Sequence, residues 1–126
     1  MEELIIRIAE YQKAMGYNFA AMTVEERMVA FRDYMVALQI EQVELAQELP
    51  IKPWRAAADQ PYSDQAVLAE EWIDCLFFLI DQALVLQLPK EALRLAFELK
   101  MAKNINRIQS GYNNVKTQNT KQGDAT

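Results

Sequence analysis

Apolar side chains recur at helical spacing along most of the chain, and strand-like alternation has no useful length anywhere. A first helix is predicted over residues 2–15, ended by Gly16. A second begins at a capping box formed by Thr23 and Glu26 and ends at about residue 49, before Pro50. Its candidate core positions are Met28, Phe31, Met35, Leu38 and Leu45.

Residues 50–62 hold three of the four prolines and are predicted to form the one substantial loop. A third helix is expected over residues 64–88, with Ser63 as its N-cap. A fourth has Pro89 in its first turn and Gly111 at its C-terminal cap. The fold class is all-α: a four-helix bundle-like protomer over residues 1–112, with a disordered polar tail, 113–126.

Composition narrows the class of protein. A chain of 126 residues with 52% hydrophobic residues suits one globular domain. The net charge of −5 argues against nucleic acid as a partner. The longest apolar stretch, 76–88, is interrupted by Asp81 and Gln82, which argues against a membrane span. The acidic start, Met1-Glu2-Glu3, lacks the basic residues of a signal peptide, and the single Cys75 excludes an internal disulfide, so a cytoplasmic location is expected.

The chain has two pairs of acidic residues whose members are three positions, or about one helical turn, apart. They are Glu41 with Glu44 and Glu71 with Asp74. The second pair lies in a helix that is apolar nearly all round, so its carboxylates are expected to face inward or into a cleft. A buried carboxylate is costly unless it is paired or metal-bound. Four converging carboxylates form a hard oxygen site suited to Mg²⁺, with Mn²⁺ as a substitute.

The absence of histidine argues against a di-iron bundle and against most zinc sites. Two carboxylates are left over, Glu48 and Glu70. Each is a candidate to bind another ion or to act as a base toward water, and ordinary surface charge is the equally weighted alternative.

A basic cluster marks the last helix, where Lys100, Asn104 and Arg107 share one face by their spacing. Lys103 lies beside them and Tyr112 follows Gly111. Cations near a helix C-terminus are also favoured by the helix dipole. The functional interpretation is a polyphosphate clamp, with arginine as a forked donor and lysine as a point charge.

Together these residues resemble a known family, the all-α NTP pyrophosphatases, which include MazG-like enzymes and dimeric dUTPases. The similarity rests on three segments in order: Glu41–Glu48 followed by Lys52-Pro-Trp54, then Glu70–Phe78, and finally Lys100–Tyr112. The resemblance implies a hydrolase that uses two or more Mg²⁺ ions to convert a nucleoside triphosphate to its monophosphate and diphosphate. It implies that Glu41, Glu44, Glu71 and Asp74 are the metal ligands. It further implies that the phosphate- and nucleotide-binding residues are Lys52, Lys100, Lys103, Asn104, Arg107 and Tyr112.

Two departures from the dUTPase branch leave open which nucleobase the substrate carries. Phe77 stands where that branch often has histidine, and the chain is shorter than typical dimeric dUTPases. A short, phage-type MazG-like enzyme acting on a purine deoxynucleotide such as dGTP is therefore the first hypothesis, and dUTP hydrolysis is the alternative. A non-catalytic helical interaction module is the alternative of another class.

The base pocket is predicted beside the metal cleft, with polar contacts and apolar walls from Gln12, Asn18, Trp54 and Phe78. Helices with more than one apolar face are hard to cover within so short a chain. A homo-oligomer, a dimer or tetramer, is expected.

Overall fold

The computed structural model describes residues 1–111, and all regular structure within them is helical. The predicted four helices are confirmed; the tail 113–126 lies outside the described residues. The main helices and two short 3₁₀ turns are α1 (Glu2–Ala14), the turn Phe19–Ala21, α2 (Val24–Gln47), the turn Ala57–Asp59, α3 (Gln65–Val85) and α4 (Lys90–Gln109).

Residues 1–88 form one compact unit in which α2 packs along α3 and α1 packs on α3. A second unit begins at Pro89, and its described part is α4 with the turn after it. No single helix of residues 1–111 is long and apolar enough to cross a membrane; α3 and α4 pass that test only when taken together as a bent pair.

The predicted ends of α1 and the start of α2 are confirmed. Gly16 has φ +93, and the N–H of Tyr17 donates to the carbonyl of Gln12 at 3.1 Å, which closes α1 in a Schellman turn. The Thr23 hydroxyl accepts the backbone N–H of Glu26 at 3.1 Å and caps α2.

The predicted bounds of α3, residues 64–88, are wrong by one residue at the start and by three at the end. Its N-cap is Asp64, not Ser63, because the Asp64 carboxylate accepts the Val67 N–H at 3.0 Å. The helix ends at Val85 because Gln87 adopts φ +58, a left-handed conformation that terminates the hydrogen-bond ladder. Pro89, predicted in the first turn of α4, is its N-cap residue.

The core of the first unit is small. Its buried apolar side chains are Ile5, Ile8, Phe19, Ile80 and Val85. On α2, the predicted core positions Phe31, Leu38 and Leu45 are half-buried, whereas Met28 and Met35 are exposed. The reason is that α3 packs against only one side of α2.

Candidate functional site

The two acidic pairs meet where α2 packs along α3. One carboxylate oxygen from each of Glu41, Glu44 and Glu71 lies within 4.8 Å of the other two. Glu41 and Glu71 are half-buried, and the Oε2 atom of each is shielded from water without a hydrogen-bond partner among residues 1–111. An unpaired buried carboxylate oxygen is costly, and a cation placed between these groups would remove that cost. The donor set is hard oxygen, so the residues fit a divalent ion such as Mg²⁺.

Electrostatics agree with that fit. Burial raises the pKa of Glu41, and the neighbouring carboxylates of Glu44, Asp74 and Glu71 raise it further. Burial also raises the pKa of Glu71, followed by the charges of Glu44 and Asp74. Each carboxylate is thus harder to ionise beside the others, and a divalent cation would reverse that balance. Asp74 is half-buried one turn after Glu71 and belongs to the same electrostatic cluster, outside the close trio.

Glu48, predicted as a base, is the C-cap residue of α2 and is tied to the start of α3. The Ser63 hydroxyl donates to Glu48 Oε2, and the Ser63 backbone N–H donates to the Glu48 carbonyl at 3.0 Å. The Glu48 charge reaches Glu71, whose pKa it helps to raise. Glu70, the other predicted base, is exposed beside Glu71.

The loop between α2 and α3 is organised by the side-chain amide of Gln60. Its Oε1 accepts the Lys52 N–H at 2.8 Å, and its Nε2 donates to the carbonyls of Lys52 and Arg55 at 2.9 and 3.0 Å. These contacts fix the predicted Lys52-Pro-Trp54 segment. Lys52 is half-buried, whereas Trp54 is 76% exposed.

A cavity of about 940 Å³ opens between α1, α2 and α3, all within the first unit. Two predicted base-pocket residues, Gln12 and Phe78, line it together with the carboxylates Glu41 and Asp74. Aromatic rings form its walls: Tyr11 meets Phe77 edge to face at 6.3 Å, and Tyr34 lies 6.1 Å from Phe78. The other two predicted base-pocket residues, Asn18 and Trp54, are exposed and are not part of this lining.

Sequence reasoning missed a second acidic site in the same cavity. Asp81 is only 2% exposed, and burial raises its pKa to about 6, against the opposing effect of its hydrogen bond from Gln12. The Gln12 Nε2–H donates to Asp81 Oδ1 at 2.8 Å. Burial and then the Asp81 charge raise the pKa of Tyr34 to about 12. The signal was present in the sequence, since Asp81 interrupts the longest apolar stretch.

The predicted phosphate-binding residues of the last helix lie on α4, in the second unit. Lys100, Lys103, Asn104 and Arg107 are all exposed. Tyr112, the remaining member of that prediction, lies outside the described residues.

The chain matches the sequence model of a known protein family. The family described as dUTPase matches residues 5–123. No curated protein and no solved structure matches the chain. With an all-helical fold and paired carboxylates on facing helices, this match over nearly the whole length means that the chain belongs to the dUTPase family of all-α proteins, which groups dimeric dUTPases with MazG-like enzymes.

Proposed function

We propose that this protein is a divalent-metal-dependent nucleoside triphosphate pyrophosphohydrolase that converts a (deoxy)nucleoside triphosphate and water to the monophosphate and diphosphate. One observation carries the proposal: carboxylate oxygens of Glu41, Glu44 and Glu71 lie within 4.8 Å of one another, at the edge of a large cavity. Membership of the dUTPase family supports a hydrolase that acts on nucleotides.

Glu41, Glu44, Glu71 and Asp74 would hold Mg²⁺, or Mn²⁺ in its place, with two or more ions per site. Bound ions would neutralise charge on the phosphate oxygens and lower the pKa of water. The four side chains themselves supply negative charge at fixed positions on two packed helices. Positioned ligands of this kind need no reorganisation during the reaction.

A carboxylate outside the metal quartet is needed to orient the attacking water and take its proton. Glu48 is the first choice, because the Ser63 hydroxyl donates to one of its oxygens and so restricts the movement of the carboxylate. Glu70 is the second choice, and its exposed side chain has no such anchor described.

The triphosphate is assigned to the cationic and amide groups of Lys52, Lys100, Lys103, Asn104, Arg107 and Tyr112. Forked guanidinium donors and point-charge ammonium groups are the usual partners of phosphate oxygens. The base is assigned to the cavity, where Gln12 offers an amide and Phe78 an aromatic wall. Asn18 and Trp54 lie outside the lining of this cavity and stay predictions for contacts with the base.

Two substrates are favoured by particular observations. The family description favours dUTP. The apolar Phe77, which stands where the dUTPase branch often has histidine, favours a purine deoxynucleotide such as dGTP. A screen of the common NTPs and dNTPs, with monophosphate and diphosphate measured, decides between them. Absence of turnover with every nucleotide and both metals would favour a non-catalytic interaction module.

The reaction is tested with the variant Asp74→Asn, which keeps the shape of the side chain but removes a ligand charge. Turnover should fall by about two orders of magnitude or more, with the helical circular dichroism unchanged, because ligand loss removes several kcal/mol of transition-state stabilisation. Asp33→Asn, an exposed α2 position, is the matched control and should retain turnover. Near-normal turnover of Asp74→Asn would refute the metal assignment.

Isotope labelling tests the position of attack separately. In ¹⁸O-labelled water the label should appear in the nucleoside monophosphate, because water is proposed to attack the α-phosphorus. Label in diphosphate or inorganic phosphate would mean attack at another phosphorus and a different class of hydrolase.

A homo-oligomer, a dimer or tetramer, is also proposed. Large apolar side chains remain more than half exposed on α2, α3 and α4, among them Val43, Trp72, Leu79, Phe97 and Ile108. Exposed apolar surface on this scale is typical of an interaction surface. Light scattering that showed a stable 14.5 kDa monomer at micromolar concentration would contradict the assembly.

A further inference from the structure

The buried pair of Gln12 and Asp81 joins α1 to α3 at the cavity wall. The Gln12 side chain is 6% exposed and the Asp81 side chain 2% exposed, and they meet through one hydrogen bond of 2.8 Å. Both residues line the cavity that also holds Glu41 and Asp74. The pair is therefore placed where a bound nucleotide would put its base.

The chemistry of an ionised carboxylate fixes the orientation of this amide. A carboxylate can only accept hydrogen bonds, so the NH₂ group of Gln12 must be the side that faces Asp81. The Gln12 Oε1 atom is then turned away from Asp81. It is shielded from water and has no hydrogen-bond partner among residues 1–111.

An unpaired acceptor at a buried position is costly unless a ligand supplies the missing donor. An ionised carboxylate among apolar side chains adds a further cost, which an apolar residue at position 81 would avoid. These two costs favour the interpretation that the Gln12–Asp81 pair is preorganised to bind a ligand, and does not serve packing alone.

We propose that Asp81 is a positioning residue for base recognition, whose carboxylate holds the Gln12 amide so that Gln12 Oε1 accepts the ring N–H of a lactam base. This inference rests on the proposed function and narrows its substrate class. Uracil, thymine and guanine carry a ring N–H on the pairing edge. Cytosine and adenine carry a bare ring nitrogen at the corresponding position, which would set two acceptors against each other. Sites built for one hydrogen-bonding pattern reject the wrong partner strongly.

The closing experiment measures the ratio of kcat/KM for dUTP to that for dCTP, and for dGTP to that for dATP, in the full-length protein with Mg²⁺. Asp81→Asn preserves the shape but can either donate or accept, so the Gln12 amide is free to adopt both orientations. Whichever ratio is larger in the wild type should fall about tenfold or more in Asp81→Asn, mainly through base-dependent changes in KM. Asp33→Asn removes the same charge from an exposed site and should leave both ratios unchanged.

The pH dependence of the wild-type ratio provides a second arm that needs no variant. Protonated Asp81 can donate to Gln12 Oε1, which lets the amide turn and present its NH₂ group to the base. The ratio should therefore fall as pH decreases from 7.5 to 5.5, through the Asp81 pKa of about 6. The titratable and charged groups around the same cavity are Arg7, Tyr11, Tyr17, Tyr34, Glu41 and Asp74.

These neighbours do not produce the same effect. Arginine and tyrosine side chains do not ordinarily change charge over that pH range. The carboxylates Glu41 and Asp74 belong to the proposed metal site, which both nucleotides of a pair share, so any change in metal binding with pH cancels in the ratio.

The outcomes separate base recognition from hydrolysis itself. Hydrolysis with a ratio that is the same in Asp81→Asn and flat with pH in the wild type overturns this inference and leaves the proposed function standing. A wild-type preference for dCTP or dATP also overturns it. Failure to hydrolyse any nucleotide overturns the proposed function and this inference with it.

Discussion

Replacing Asp81 by asparagine should shift the free energy of unfolding in favour of the variant as the pH rises. The comparison is with the wild type at the same pH. Burial raises the pKa of Asp81 from 3.8 to about 6, so the folded protein binds this proton more tightly than the unfolded chain. Asp81 therefore destabilises the wild type increasingly as the pH rises from about 4 to above 6, because the folded state resists ionisation of this carboxyl. The Asp81→Asn variant has no group that titrates at this position.

The magnitude follows from the same pKa values. A pKa difference of one between the folded and unfolded states corresponds to about 1.4 kcal/mol, so a rise from 3.8 to about 6 costs the folded state about 3 kcal/mol above pH 7. The side chain is 2% exposed, so solvent screening removes little of this cost. Asparagine has its own cost of burial, but that cost is the same at every pH. The stability difference between variant and wild type should thus change by about 2.4 kcal/mol between pH 4 and pH 7.5, because a small part of the cost is already present at pH 4.

Urea unfolding at several pH values measures this difference, in EDTA and at one fixed protein concentration because oligomers couple stability to concentration. Asp33→Asn is the matched control; its stability difference should stay within about 0.5 kcal/mol, as expected of an exposed side chain. A difference between Asp81→Asn and wild type that does not vary with pH would refute the claim that burial in the folded protein raises the pKa of Asp81.

Three further predictions concern the metal site, its neighbour and the core. The rise in Tm on adding Mg²⁺ should keep growing as the pH increases through and beyond the ordinary carboxyl range, because raised pKa values keep Glu41 and Glu71 partly protonated in that range. Ser63→Ala should lower kcat while costing about 1 kcal/mol in urea unfolding, because it removes the donor to Glu48. Val85→Ala, at a position with 0% exposure, should cost about 2 kcal/mol in the same assay, for two lost methyl groups and the cavity they leave.

Each of these has a clear contrary outcome. A pH-independent Mg²⁺ effect would mean that the carboxylates are not the ligands. A Ser63→Ala variant with unchanged kcat would remove Glu48 as the preferred base. The exposed Val36→Ala is the control for Val85→Ala, and equal effects of the two would contradict the described core.

Local chemistry made most of the helical pattern predictable from sequence. Gly16 and Thr23 act within one turn of themselves, so their capping roles could be identified without any tertiary contact. The end of α3 could not, because apolar residues continue past Val85 and the left-handed Gln87 carries no sequence signal as strong as a glycine. Its side chain stabilises that turn by donating to the Leu84 carbonyl at 2.8 Å.

The candidate site, too, has one part that local spacing predicts and another that depends on tertiary packing. The i, i+3 spacing of Glu41 with Glu44 was enough to place both on one helical face, and the pairing of α2 with α3 then brings in Glu71. The contact between Gln12 and Asp81 spans 69 residues and depends on how α1 packs against α3. No local pattern encodes that register, so the pair became visible only in the folded chain.

The hydrogen bonds made by the Gln60 amide have a consequence for which sequence changes this protein can tolerate. Its amide holds the α2–α3 loop through backbone atoms of Lys52 and Arg55, and backbone atoms are the same in every amino acid. Side chains inside the loop can therefore change without altering its course. The residue at position 54, for instance, could be replaced in a related protein. The surface of the loop would then change while its backbone conformation stayed the same. Position 60 lacks that freedom, since a side chain without both a donor and an acceptor would release the whole segment at once.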